Sequence, residues 1–166
     1  MKIVRTESGF TLLEGMIATV ILSVGVIAMG AMQGIAITRN VDSTELTLAT
    51  NMASEMLERI QYNRRNVTAY AGIDTNNPCV LPAIQTMAQG DCVQWQAMMT
   101  NQGASGISQA SVLTGVRGVV TVTPVVTIPP LNQSRVNVVI TWTGRNMGTT
   151  AAAPRRVMLD TTIAPE

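Results

Sequence analysis

The chain has 166 residues, a formal net charge of +1, 13% charged residues, no histidine and two cysteines, which leaves room for one domain beyond an N-terminal anchor. That near-neutral balance gives no basic footprint for nucleic acid, and Arg64-Arg65 and Arg155-Arg156 read as solvated surface arginines. The lack of histidine removes the commonest general base and transition-metal ligand. Two cysteines are too few for a Cys-only zinc site, and with no nucleophile motif or clustered carboxylates neither an enzyme, a metal nor a cofactor is expected.

The chain opens on Met1 to Gly9, a short polar leader carrying Lys2 and Arg5. In a secretory signal peptide the apolar region precedes the cleavage site; here it follows the leader. From Phe10 to Thr38 the only formal charge is Glu14, and Gly15 to Thr38 is long enough to cross a bilayer as a helix, which takes about 20 apolar residues. A carboxylate at the centre of such a helix costs about 2.5–3.5 kcal/mol, less near the interface. Glu14 is therefore expected to have a partner; the plainer reading is an uncleaved anchor with Glu14 at headgroup depth.

The block Gly9-Phe10-Thr11-Leu12-Leu13-Glu14 resembles the class III signal of type IV pilins. The resemblance implies that a prepilin peptidase cuts after Gly9, that Phe10 becomes an N-methylated terminus, and that the apolar helix stays attached. It also implies that Glu14 pairs with the terminal ammonium of a neighbouring subunit, compensating two groups costly to bury apart. The expected organisation is a leader over 1–9, a transmembrane and filament-core half-helix over 10–38, and a globular domain over 39–166. Before assembly the protein would sit in the inner membrane with its domain in the periplasm, and afterwards on the pilus.

Gly15, Gly25, Gly30 and Gly34 interrupt the apolar half, and Gly30 with Gly34 forms a small-xxx-small step that permits close helix packing. No proline occurs before Pro78, so a melted helix is not expected. Beyond Thr38, Ala49, Met52, Ala53, Met56, Leu57 and Ile60 recur at helical spacing, with Leu46 extending the stripe backwards. This predicts one helix running on, packed by that stripe onto its own domain and fading near Asn63 to Asn66. Glu55 precedes Arg59 by one turn, the favourable order for a helical ion pair.

In the oxidising compartment that the leader implies, Cys79 and Cys92 are expected to form a disulfide. The C-x-x-C spacing of a redox pair is absent. Asn77-Pro78 and Gly90-Asp91 mark turns, so the bridge is expected to pin an irregular segment. Asp91 is expected to cap a short helix burying Trp95, Met98 and Met99. Gln102 to Gly106 and Ser108 to Thr114 read as loop. Strands are predicted at Gly118 to Thr123, extended or edged by Val125 to Ile128, at Arg135 to Thr143 with Val136, Val138, Ile140 and Trp142 on one face, and at Arg155 to Ile163 with Val157, Leu159 and Ile163 inward. The fold class is α+β: a long N-terminal helix packed on a small antiparallel sheet of three or four strands.

The stretch Leu48 to Ile60, followed by a cysteine-bearing segment, a Trp-containing helix and a strand-rich rear, resembles PilV-type minor pilins. That resemblance implies a structural subunit that helps start or modulate pilus assembly, with the prepilin peptidase, other major and minor pilins and the inner-membrane assembly platform as partners, and with display for adhesion. The Cys79–Cys92 loop and Gly144 to Pro154 are the expected contact ridges. A type II secretion pseudopilin and an adhesin or DNA-uptake pilin share the leader and stay open.

Overall fold

A computed structural model describes residues 10–79, 86–100, 113–127, 131–144 and 153–164. The chain forms two compact units, Met1–Val41 and Asp42–Glu166. Helix α1, Leu12–Tyr62, belongs to both. In the second unit it is followed by a 3-10 helix, Arg64–Tyr70, then α2 (Thr86–Thr100), β1 (Thr114–Pro124), β2 (Ser134–Thr143) and β3 (Pro154–Ile163). The strands form an antiparallel sheet in the order β1-β2-β3, so the α+β architecture is as expected.

The core forms where the α1 stripe meets the inner face of the sheet. Ala49, Met52, Ala53, Met56 and Ile60 are buried with Val136, Val138, Ile140 and Trp142, the alternate residues of β2. Leu57 is only partly buried, and Leu46 is 52% exposed. Its neighbour Glu45 is buried in its place because the Trp142 indole N–H donates to Glu45 Oε2 at 3.1 Å. Arg155 lies 2.9 Å from Asp42 and 3.7 Å from Glu45, adding positive charge beside both carboxylates. Gly144 makes room for that guanidinium group, since a Cβ there would meet the Arg155 side chain.

Helix α2 starts at Thr86, not at Asp91. Its buried face is Ala88, Cys92, Trp95 and Met99, while Met98 is partly buried. Asp91 is mid-helix and works as a tie: Arg59 Nη1 donates to Asp91 Oδ1 at 3.0 Å, and the Tyr70 hydroxyl donates to Asp91 Oδ2 at 2.6 Å. Arg59 also holds Glu55 at 2.7 Å, the expected helical pair, and Asn63 donates to the Tyr70 oxygen. Burial first, and then the bond to Asp91, push the Tyr70 hydroxyl pKa well up, so Tyr70 remains a donor. The network joins α1, the 3-10 helix and α2, and breaking it would strand buried charge.

Trp95 fixes how α2 meets the sheet. Its indole N–H donates to the Met52 carbonyl at 3.1 Å, and its ring lies against Gly118 of β1, where a Cβ would meet the Trp95 ring and, at 2.8 Å, Met99 Cε. The middle of the outer edge of β1, from Gly118 to Val120, is covered by the chain itself. Gly72 N–H donates to the Val120 carbonyl at 3.1 Å, Val120 N–H to Ile73 at 2.9 Å, and Thr75 N–H to Gly118 at 3.0 Å. Gly72 takes φ 79°, a left-handed value that glycine adopts without strain. Asp74 anchors this cover by accepting from Arg117 Nε at 3.0 Å and Nη2 at 2.6 Å.

β1 is longer than expected, from Thr114 to Pro124, while Val125 to Thr127 lie outside the strand although Val125 N–H still donates to the Gln133 carbonyl. Proline can end a ladder but cannot donate within it. On β3, Ile163 is buried, whereas Val157 and Leu159 are only partly covered. The expected loop at Gln102 to Gly106, most of Ser108 to Thr114, Ile128, and residues 145–152 of the Gly144 to Pro154 ridge lie outside the described residues.

Two outcomes test this packing. Gly118→Ala should destabilise the domain by about 1–3 kcal/mol in urea unfolding, as overpacked core sites do; Trp95→Leu in the same chain should reduce that increment. The hydrogen bonds from Arg117 hold the Asp74 carboxyl below the usual carboxylate range. A depressed carboxylate stabilises above its unfolded pKa, about 3.9, and loses that contribution as the pH falls through the lower folded value. Thermal midpoints should therefore be lower for Asp74→Asn than for wild type near neutrality, with the gap closing as the pH falls below about 4.

Candidate assembly segment

The segment begins at Phe10, which is 73% exposed; Gly9 lies outside the described residues. Thr11 caps α1: its hydroxyl accepts from the Glu14 backbone N–H at 3.3 Å, and its carbonyl accepts from the Glu14 and Gly15 N–H groups at 3.0 and 3.2 Å. Thr-x-x-Glu just before an apolar run is the sequence pattern of a capping box, a signal that reading the block only as a cleavage site overlooks. The negative carboxylate in the first turn also suits the positive end of the helix dipole. The Phe10 ring lies over Gly15, where a Cβ would stand 3.3 Å from Phe10 Cε1.

From Leu12 onward the shaft presents apolar side chains on all sides, Leu13, Ile17, Val20, Ile21 and Val24 among them, each more than half exposed. An 18-residue window of α1 reaches a mean hydropathy of 2.2 with none of it buried in the chain. A helix apolar all round calls for a nonaqueous neighbour. The hydroxyls in this shaft are returned to its own backbone: Thr19 donates to the Met16 carbonyl at 2.8 Å, Ser23 to Val20 at 2.7 Å and Thr38 to Gly34 at 3.0 Å. This removes their donors from the apolar surface. Between Leu12 and Thr38, among the described residues, that leaves Glu14 and Gln33 with side-chain polar groups not bonded back to the helix. Gly25, Gly30 and Gly34 leave open surface, with nothing within 4 Å of a Cβ built there.

In the second unit Cys79 and Cys92 are joined by a disulfide. It ties the turn closed by Asn77 N–H on the Asp74 carbonyl to the buried face of α2, so one end of the bridge is irregular and the other helical. Gln96 reinforces the junction by donating to the Thr75 and Asn77 carbonyls at 2.9 and 3.1 Å. Residues 80–85 of the loop so closed lie outside the described residues. No group of three or more Cys, Asp or Glu side chains that could hold a metal ion occurs among the described residues.

Residues 4–30 match the family model of the prokaryotic N-terminal methylation motif. No curated protein and no solved structure matches the chain. The matched segment runs from Val4 through Phe10, the Thr11 cap and Glu14 to Gly30 of the apolar shaft, and it indicates a type IV pilin-like or pseudopilin protein held in the membrane by its N-terminal helix.

Proposed function

We propose that this chain is a minor type IV pilin of the PilV kind, a structural and non-enzymatic subunit that helps start or modulate pilus assembly. The observation that carries the reading is the methylation motif over residues 4–30, which ends in a shaft whose one formal charge up to Thr38 is Glu14. The prepilin peptidase removes residues 1–9, the new terminus at Phe10 is methylated, and residues 10–38 anchor the protein in the inner membrane. Residues 39–166 then stand in the periplasm and, after assembly, on the filament surface.

Glu14 has the position and the need for its role. It is exposed in the first turn of α1, at the end of an apolar shaft among whose side chains an uncompensated carboxylate is costly. The ammonium group that cleavage creates on Phe10 of an adjacent subunit is a compensating charge. The minor-pilin assignment is supported by the order of elements behind the shaft: the cysteine-tied turn, α2 with Trp95, and the three-stranded sheet. Major and minor pilins and the inner-membrane assembly platform are the partners of this reading.

Mass spectrometry of sheared pili should recover a methylated peptide beginning at Phe10, and a deletion strain should carry few pili. A processed protein confined to membranes, with normal piliation in the deletion strain, would instead support a secretion pseudopilin. Gly9→Ala should leave the precursor at full length on immunoblots; a normally shortened product would overturn the cut site. Glu14→Ala should be cleaved normally but be depleted from the sheared fraction.

A further inference from the structure

The sheet has two edges. That of β1 is covered over Gly118 to Val120 by Gly72 to Thr75, whereas no backbone group among the described residues pairs with the outer edge of β3. β3 is ten residues long, and its pairing with β2 runs from Pro154 to Ile163 without a register shift. A long, regular open edge is a template for another strand unless bulges or unmatched charges block it.

The side chains along this edge specify their complement. On the outer face, paired residues form rows across the sheet: Arg117, Thr141 and Arg156; Val119, Val139 and Met158; Thr121, Asn137 and Asp160. The middle row is apolar and runs out at the edge in Met158, which is 57% exposed. Arg156 and Asp160 flank Met158 at equal distance along the strand, with opposite charge. Arg156 is exposed and has no ion pair among the described residues, while Asp160 makes a loose pair with Arg135 at 3.7 Å.

We propose that β3 is the pairing edge for a second copy of this chain, joined antiparallel in the register that sets Met158 opposite Met158 of the other copy. Arg156 then faces Asp160 and Asp160 faces Arg156, two opposite-charge cross-strand pairs. The apolar row continues through both sheets, and on the inner face Val157 and Leu159, which their own domain covers only in part, stand opposite Leu159 and Val157. The contact is isologous and closes on itself as a dimer. Directly opposed antiparallel residues share a face, so the nearest alternative registers set Met158 against Arg156 or Asp160 and lose the charge pairs. The two-fold axis lies normal to the sheet, so residues 42–62 of α1 run in opposite directions in the two copies. The pairing therefore joins domains that meet from opposing directions, not neighbours set side by side.

The test uses the full chain in detergent. Both native cysteines are engaged in the disulfide, so an introduced thiol is the free one. Under mild oxidation Met158→Cys should give a disulfide-linked dimer in several-fold greater yield than Thr121→Cys on the outer face of β1. Arg156→Cys and Asp160→Cys should each stay largely monomeric alone and cross-link when mixed. Added to Met158→Cys, Arg156→Asp should reduce the yield and Arg156→Asp with Asp160→Arg should restore it. Equal yields from Met158→Cys and Thr121→Cys, self-linking of Arg156→Cys as efficient as that of Met158→Cys, or indifference to the charge reversal would each overturn the proposal. Cross-linking of Met158→Cys that survives charge reversal would point to association through the apolar shaft.

Discussion

The stripe Ala49, Met52, Ala53, Met56 and Ile60 on α1 is the surface on which the domain is assembled, and each neighbouring element covers part of it or braces an element that does. β2 lays its four alternate residues along the stripe. Trp95 brings α2 in by donating to the Met52 carbonyl, and the 3-10 helix is drawn in through Tyr70 and Asp91. The small residues Ala49 and Ala53 let neighbours come close, while the methionines fill the irregular space between helix and sheet. One helix thus supplies an apolar shaft on one side of Val41 and an amphipathic scaffold on the other.

Polar groups in the core are placed with the same economy. Glu45, Asp91, Asn63 and Thr75 are all buried; Glu45, Asp91 and Thr75 each join elements distant in sequence, while Asn63 ties the end of α1 to Tyr70 of the 3-10 helix that follows. Asp91 has both carboxylate oxygens occupied, and the Thr75 hydroxyl accepts from the Gly118 N–H. Glu45 is engaged on one side: Oε2 takes the Trp142 N–H, while Oε1 has no hydrogen-bond partner among the described residues. These bonds are directional, so they choose among the ways an apolar stripe could slide on an apolar sheet.

Much of this was legible in the sequence because it rests on local periodicity. The β2 alternation and the α1 stripe needed only spacing, and the end of α1 followed from Asn63 to Asn66. What could not be read depends on partners far along the chain. Burial of Glu45 in place of Leu46 requires a tryptophan 97 residues away. The placement of Asp91 inside α2 reflects Arg59 and Tyr70, 32 and 21 residues off, whereas locally Gly90-Asp91 looks like a helix start. The covered middle of the β1 edge and the room that Gly118 gives to Trp95 are likewise products of the packed domain. The block from Gly9 to Glu14 was recognisable as part of the methylation motif that residues 4–30 match, but the capping role of Thr11 was not read from it.

The return of Thr19, Ser23 and Thr38 hydroxyls to the helix backbone has a consequence for the depth at which the shaft sits. With those groups silenced, the markers left on the rod are Glu14 and Gln33. At 1.5 Å per residue they stand about 28 Å apart along the axis, close to the roughly 30 Å thickness of a bilayer's hydrocarbon core. The residues between them can fill that layer with no polar group needing solvent, while each marker reaches a boundary. A shaft so marked matches the apolar thickness of a bilayer in length, and sliding it by one turn would carry an amide or a carboxylate into the hydrocarbon layer.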